Sequence, residues 1–136
     1  MNPIEIYWKS FQAANLAFQD SEMPMHYYYG DNKAVADECA ELVRCKIKQA
    51  TSPSRWWFET HNEVLPKPGD VAIVTNWAGE PKAIVRTTKV EVLPFNAIDA
   101  DYAAIEGEGD KSLAYWKKEH WHYYSKEMQK YGLKPI

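Results

Sequence analysis

Two apolar runs in the middle of the chain limit what it can fold into. Val71-Ala72-Ile73-Val74-Thr75 is short, rich in β-branched residues and preceded by the turn cluster Pro66-Lys67-Pro68-Gly69-Asp70, the pattern of a buried strand. Asn76 to Pro81 is a connection of hairpin length, and Ala83 to Leu93 predicts a second, longer strand that Pro94-Phe95 ends. Its outward candidates Arg86, Thr88 and Lys89 do not alternate strictly, which suits a bulge or a barrel corner. The two ends of the chain carry helical spacing instead. Residues 3–18 predict a helix capped by Asn2, with Pro3 at its first position and Ile4, Trp8, Phe11 and Phe18 in register. A loop rich in Met and Tyr follows (residues 21–32). Asp31 or Asn32 then caps a second helix with Val35, Cys39 and Leu42 on one face, ending near Arg44–Lys46. Arg55 to Phe58 reads as a short strand or a turn of helix. Asp110 or Ser112 caps a last helix whose stripe runs through Leu113, Trp116, His120, Tyr123, Tyr124 and Tyr131 to a stop at Gly132. This order predicts one α+β domain over residues 1–136, with helices at both ends around a small antiparallel sheet or barrel.

Composition narrows the function. A net charge of −3 argues against coating nucleic acid by bulk electrostatics, so any RNA contact has to be a local basic patch. The aromatic share is high at 14%, with six Trp and nine Tyr, enough to fill a core and also line a groove that stacks bases. No window approaches the ~18 apolar residues of a membrane span, and the first residues lack the pattern of a secretory leader. A cytoplasmic protein without a membrane partner is expected. Cys39 and Cys45 lack spaced Cys or His partners and read as free thiols of a reducing compartment.

Chemistry concentrates in two stretches of opposite charge. Arg44, Lys46, Lys48 and Arg55 fall between Glu41 and Glu59 with no acid among them, and Lys48 and Thr51 are three apart just past a helix end. From Asp99 to Asp110 five carboxylates occur with no base: Asp99, Asp101, Glu106, Glu108 and Asp110. Such a cluster is ordinarily a solvated loop feeding a helix N-terminus, where negative charge is favourable. A desolvated lysine can activate a threonine hydroxyl, and Glu106 or Glu108 would orient that lysine or carry protons. Other signals fall away. Gly107-Glu108-Gly109 lacks the strand and third glycine of a dinucleotide loop. Asp99-x-Asp101 lacks the later ligands of a calcium loop. His120 and His122, two apart on a helix, point about 200° from one another. No metal site is expected.

Ordered blocks through most of the chain carry a resemblance to a known family. They include Tyr29-Gly30-Asp31, Ala36-Asp37-Glu38, Leu42-Val43 with Lys48-x-Ala50-Thr51, Pro68-Gly69-Asp70, Val74-Thr75-x-Trp77-x-Gly79 and Pro94-Phe95. The last is Glu106-Gly107-Glu108-Gly109-Asp110-x-Ser112-Leu113-x-x-Trp116-x-x-x-His120. The sequence resembles the ASCH (ASC-1 homology) domain family, relatives of the PUA domain. The resemblance implies a small PUA-like β-barrel flanked by N- and C-terminal helices, with a cleft beside it. It also implies RNA binding, by kinship with PUA domains, or one of two activities known in the family. These are amide hydrolysis of N4-acetylcytidine and cleavage of single-stranded RNA. For the hydrolase, the family lysine, threonine and glutamate correspond to Lys48, Thr51 and Glu106, with no cofactor. Arg44, Lys46, Arg55 and Glu108 are then ligand-binding candidates, and Trp56, Trp57 and Trp77 are candidate stacking surfaces for a modified nucleoside or RNA. Two departures stand out. Lys46 replaces the family glycine two residues before the lysine, and the chain stops where many relatives continue into a final strand. The second raises the expectation of a homodimer that covers the open edge.

Overall fold

The computed structural model describes residues 2–135. The chain divides into two compact units, residues 1–44 with 67–89 and residues 45–66 with 90–136.

The first unit is built on a central strand. Helix α1 (Pro3–Ala14) starts as its sequence dictates: the Asn2 side chain accepts the Glu5 N–H at 2.9 Å, with Pro3 beside it. It stops four residues short of the predicted end. The Asn15 side-chain amide donates to the Phe11 carbonyl, a side-chain bond that competes with continued helix. Residues Leu16–Phe18 form a 3₁₀ turn that folds Phe18 back against Phe11, ring centroids 5.2 Å apart. Helix α2 (Lys33–Arg44) is capped by Asn32, whose Oδ1 accepts the Val35 N–H. The sheet has three strands in the order β1-β2-β3: Met25–Tyr27, Val71–Thr75 and Pro81–Arg86. β2 and β3 pair antiparallel, with a register shift between Val74 and Thr75. β1 pairs parallel to β2 (Met25 opposite Ala72).

This corrects the sequence reading in three ways. Residues 25–27, expected as loop, form a strand. The second strand ends at Arg86, with Thr87 still exchanging bonds with Gly69 and Asp70 and nothing regular through Leu93. The described sheet is open, a mixed sheet and not a closed antiparallel barrel. β2 alone has neighbours on both sides, and Ile73 and Val74 are wholly buried. α2 packs on β2 and β3, and its buried residues Ala36, Cys39 and Ala40 are small enough for helix and sheet to approach closely.

The second unit is helical. α3 (Arg55–Thr60), α4 (Ala100–Glu106) and α5 (Leu113–Gln129) are capped by Ser54, Asp99 and Ser112, each accepting the N–H three residues on. α4 was not anticipated; its sequence was read as an acidic loop. Asp99 and Asp101 occupy its cap and first turn, where carboxylates offset the helix dipole. α4 packs on α5, and the Trp116 ring of α5 lies 5.4 Å from that of Phe95.

The end of α4 is fixed by Gly107, with φ of 75°. A side chain there would collide with the Ile47 carbonyl, so glycine is required both for its backbone angle and for the space it leaves. The strained angle alone costs a non-glycine residue about 1–2 kcal/mol. Gly107→Ala is therefore expected to destabilise the protein by about 2 kcal/mol or more, measured as a lowered midpoint in denaturant unfolding.

Candidate functional site

Because Gly107 lets it approach, the irregular segment 47–54 runs beside the last turn of α4. The Gln49 N–H donates to the Ile105 carbonyl at 3.0 Å. This bond satisfies one of the carbonyls that a helix C-terminus leaves without partners. It also sets the register that brings Lys48 to Glu106. The turn into the segment needs a left-handed residue, and Lys46 supplies it with φ of 62°. That is the conformation a glycine adopts without strain. Lysine keeps the turn and bears the strain.

Glu106 is the centre of the network. It is 1% exposed and meets four side chains brought in by two segments. Oε1 accepts from Ser52 Oγ at 2.7 Å and from Trp116 Nε1 at 2.8 Å. Oε2 lies 2.9 Å from His120 Nε2 and 3.3 Å from Lys48 Nζ. Lys48 also donates to the Ala50 carbonyl at 2.8 Å and lies 3.7 Å from a Glu108 oxygen. Two tyrosines complete the surround. Tyr102 donates to the Thr51 carbonyl and meets Ser52 Oγ at 2.9 Å, and Tyr124 donates to the Ser52 carbonyl. Among the described residues no buried side-chain polar atom lacks a hydrogen-bond partner.

The electrostatics follow from these contacts. Burial alone would raise the Glu106 pKa. The His120 hydrogen bond, the Lys48 and His120 charges and the Ser52 hydrogen bond outweigh it and hold the carboxyl well below the usual range. Burial pushes both Tyr102 and Tyr124 above the ordinary phenol value, so both remain O–H donors. Glu106, Glu108 and His120 present ligand atoms within 4.8 Å of one another. The Lys48 ammonium, paired with both acids, already supplies the cation that such a cluster would take.

Of the candidates read from sequence, Lys48, Glu106 and Glu108 come together here. Thr51 lies three residues along the same segment, exposed, and its carbonyl joins the network through Tyr102. Lys46 contributes its backbone turn, and its carbonyl accepts from Gln49 Nε2; the other candidates have partners elsewhere. Arg55 pairs with Glu59 at 2.9 Å along α3, both more than 60% exposed, and Arg44 pairs with Glu41. Trp57 stacks on His61 at 4.4 Å, and Trp56 meets Tyr131 edge-on. In the first unit Trp77 lies against Tyr28, centroids 4.9 Å apart, in an open cleft of about 440 Å³ that Thr75 and His26 also line. Sequence reasoning missed Ser52, Tyr102 and Tyr124 as site residues and took Trp116 and His120 for a core stripe. One signal was available: Trp116 and His120 are four apart, hence on one helix face, and both have polar atoms that burial obliges to find partners.

The described residues thus form an open three-stranded sheet with helices and a buried lysine–glutamate pair at the glycine-capped end of a short helix. The family model of the ASCH domain matches residues 25–135, and the chain belongs to that family. An ASCH domain structure from Lactobacillus crispatus JV V101 is similar at 28% identity with a TM-score of 0.90, covering 98% of this chain and 86% of the other. A protein of Enterococcus faecalis V583 is similar at 32% identity with a TM-score of 0.87, covering 97% and 78%. No curated protein matches. Among the described residues no helix is long and apolar enough to cross a membrane.

Two outcomes follow. Lys46→Gly removes left-handed strain and is expected to raise stability by up to about 1 kcal/mol, read from the denaturation midpoint. For Glu106 the folded pKa lies below the unfolded one. Its stabilising contribution is therefore fully present above the unfolded value, near 4.5, and is lost as pH falls from there through the folded value. Acid unfolding of the wild type should be steeper below about pH 4.5 than that of Glu106→Gln, which cannot titrate.

Proposed function

We propose that this ASCH domain hydrolyses the exocyclic amide of an N4-acetylcytidine-type nucleoside at the Lys48–Thr51–Glu106 site. The carrying observation is the placement of Lys48, with side-chain exposure of 2%, between Glu106 and Glu108. A phosphate approaching this lysine would be repelled by the two carboxylates, whereas a neutral nucleoside amide would not.

In this reading Lys48 first passes its ammonium proton to Glu108 and, now neutral, takes the proton of the Thr51 hydroxyl, or of a water held by it, as the oxygen attacks the amide carbonyl. The tetrahedral intermediate collapses with cleavage of the C–N bond, and the lysine returns the proton to the departing amine. Where Thr51 is the nucleophile, water then hydrolyses its acyl ester. The net change consumes one water and yields the free nucleoside and the carboxylic acid. Glu106, engaged by four donors and held ionised, orients the lysine and does not carry protons. Glu108, on the more open side, is the acid available for that.

A second reading is favoured by a separate observation. The family is associated with RNA binding, and the half-exposed Tyr28–Trp77 pair in the first unit is a surface on which bases of a single strand would stack.

The test is turnover of N4-acetylcytidine, followed by its absorbance. Wild type is expected to hydrolyse it, with Lys48→Met and Glu106→Gln slower by about 10²–10⁴-fold. Absence of turnover by folded wild type, or undiminished turnover by Lys48→Met, overturns the hydrolase reading. Base stacking would then be examined through Trp77→Ala and single-stranded RNA affinity.

A further inference from the structure

We infer that His120 works as a doubly protonated imidazolium, a positioning residue that draws the Glu106 carboxylate towards α5 and so limits its hold on Lys48. The inference starts from what each ring nitrogen faces. Nδ1 lies 2.8 Å from the Trp116 carbonyl, one turn back on the same helix. A carbonyl oxygen only accepts, so Nδ1 carries a proton. Nε2 lies 2.9 Å from Glu106 Oε2. In the neutral ring with its proton on Nδ1, Nε2 is a bare lone pair, and at that distance it would face a carboxylate oxygen in repulsion. A protonated Glu106 would relieve this, but the same carboxyl accepts from Ser52, Trp116 and Lys48, as an ionised acid does. Both contacts are attractive only when both ring nitrogens bear hydrogen.

The ring is held for this task. It stacks on Trp116 at 4.1 Å and 15°, an arrangement that favours a cation over an aromatic face. The charged and titratable groups around it are Glu106 on α4, Glu108 just beyond, Lys48 on the 47–54 segment, and Tyr124 on α5 with its ring 5.8 Å away. With His120 charged, two cations face two carboxylates. His61 provides the contrast. Its Nδ1 lies 2.8 Å from the Trp57 carbonyl, but its Nε2 faces the Tyr131 hydroxyl at 3.1 Å. A hydroxyl can donate, so a neutral ring satisfies both ends.

The consequence for Lys48 rests on the hydrolase reading. Glu106 Oε2 is shared between His120 at 2.9 Å and Lys48 at 3.3 Å, and the nearer cation takes the larger part of its charge. A lysine gripped less tightly gives up and recovers a proton more readily, as a base in amide hydrolysis must.

The direct experiment needs no substrate. The full chain is labelled with ¹⁵N-histidine, ring-nitrogen shifts are recorded near neutral pH, and His120 is assigned by its disappearance in His120→Gln. Two protonated nitrogens are expected at His120 and a single one at His61, with His120 reverting to one in Glu106→Gln. A bare nitrogen at His120 in the wild type overturns the inference, and so does a doubly protonated ring that Glu106→Gln leaves unchanged. With substrate, His120→Phe should lower kcat about tenfold or more with little change in KM, and His120→Gln, whose amide still donates, should recover part of it. Undiminished kcat in His120→Phe overturns the positioning role. If wild type turns over no N4-acetylcytidine, the hydrolase reading fails, while the ring protonation is still decided by the shifts.

Discussion

A carboxylate withdrawn from water must find its hydrogen bonds inside the protein, and Glu106 organises the second unit on those terms. Its four partners come from two segments that flank α4 in the sequence and in space: Lys48 and Ser52 from the irregular stretch before α3, Trp116 and His120 from one face of α5. The effective penalty for taking such an ion out of water is several kcal/mol, and it is recovered only when geometry and hydrogen bonding are complete. Here they are complete, which keeps the group ionised. The network is consequently intolerant of partial removal. Deleting one member leaves the others buried without their partner, a larger loss than the net worth of any single bond.

Backbone shape makes that convergence possible. The 47–54 segment has no helix or strand of its own to fix its path. It is positioned by one backbone bond to Ile105, by the left-handed turn at Lys46 and by the absence of a side chain at Gly107. The two special residues act at opposite ends of one contact: Lys46 turns the chain towards α4, and Gly107 lets it come close enough. A glycine in place of Lys46 would therefore relieve the strain at the turn while permitting the same left-handed geometry.

How much of this was legible in the sequence depended on whether the signal was local. The helix starts at Asn2, at Asp31 or Asn32 and at Asp110 or Ser112 were readable because a cap is a short-range bond between a side chain and a backbone three residues on, and the structure selects Asn32 and Ser112. The run Val71–Thr75 was readable because a strand buried on both sides is apolar throughout. β1 was not, since three residues carry no period and their parallel pairing is decided by a strand more than forty positions later. α4 was hidden for a different reason: its acids resemble a solvated loop, and only Asp99, Asp101 and Glu106 separately betray a cap, a first turn and a buried end. The lysine stood out by its place in the basic stretch, its acid could be Glu106 or Glu108, and the family pattern pointed to Glu106. Ser52, Trp116 and His120, as donors to that glutamate, had no local signature, because each is a common residue that acquires its role from contacts 10 to 54 positions away in the chain.

The same contacts bear on the proposed use of the basic stretch. Four cations without an intervening acid look, in sequence, like a surface made for phosphate. In three dimensions Arg44 and Arg55 each lie against a glutamate of their own helix, and Lys48 is turned inward between two more. Pairs on an exposed helix are worth little and exchange readily with a competing anion, so Arg44 and Arg55 remain open to phosphate at modest cost. Lys48 does not: moving it to a phosphate would strand Glu106 in the interior. A lysine that cannot leave its carboxylate is poorly suited to holding a mobile polyanion. It is well suited to acting in place on a small ligand that comes to it, and this distinction, set by burial and not by charge count, separates the hydrolase reading from the RNA-binding one at this site.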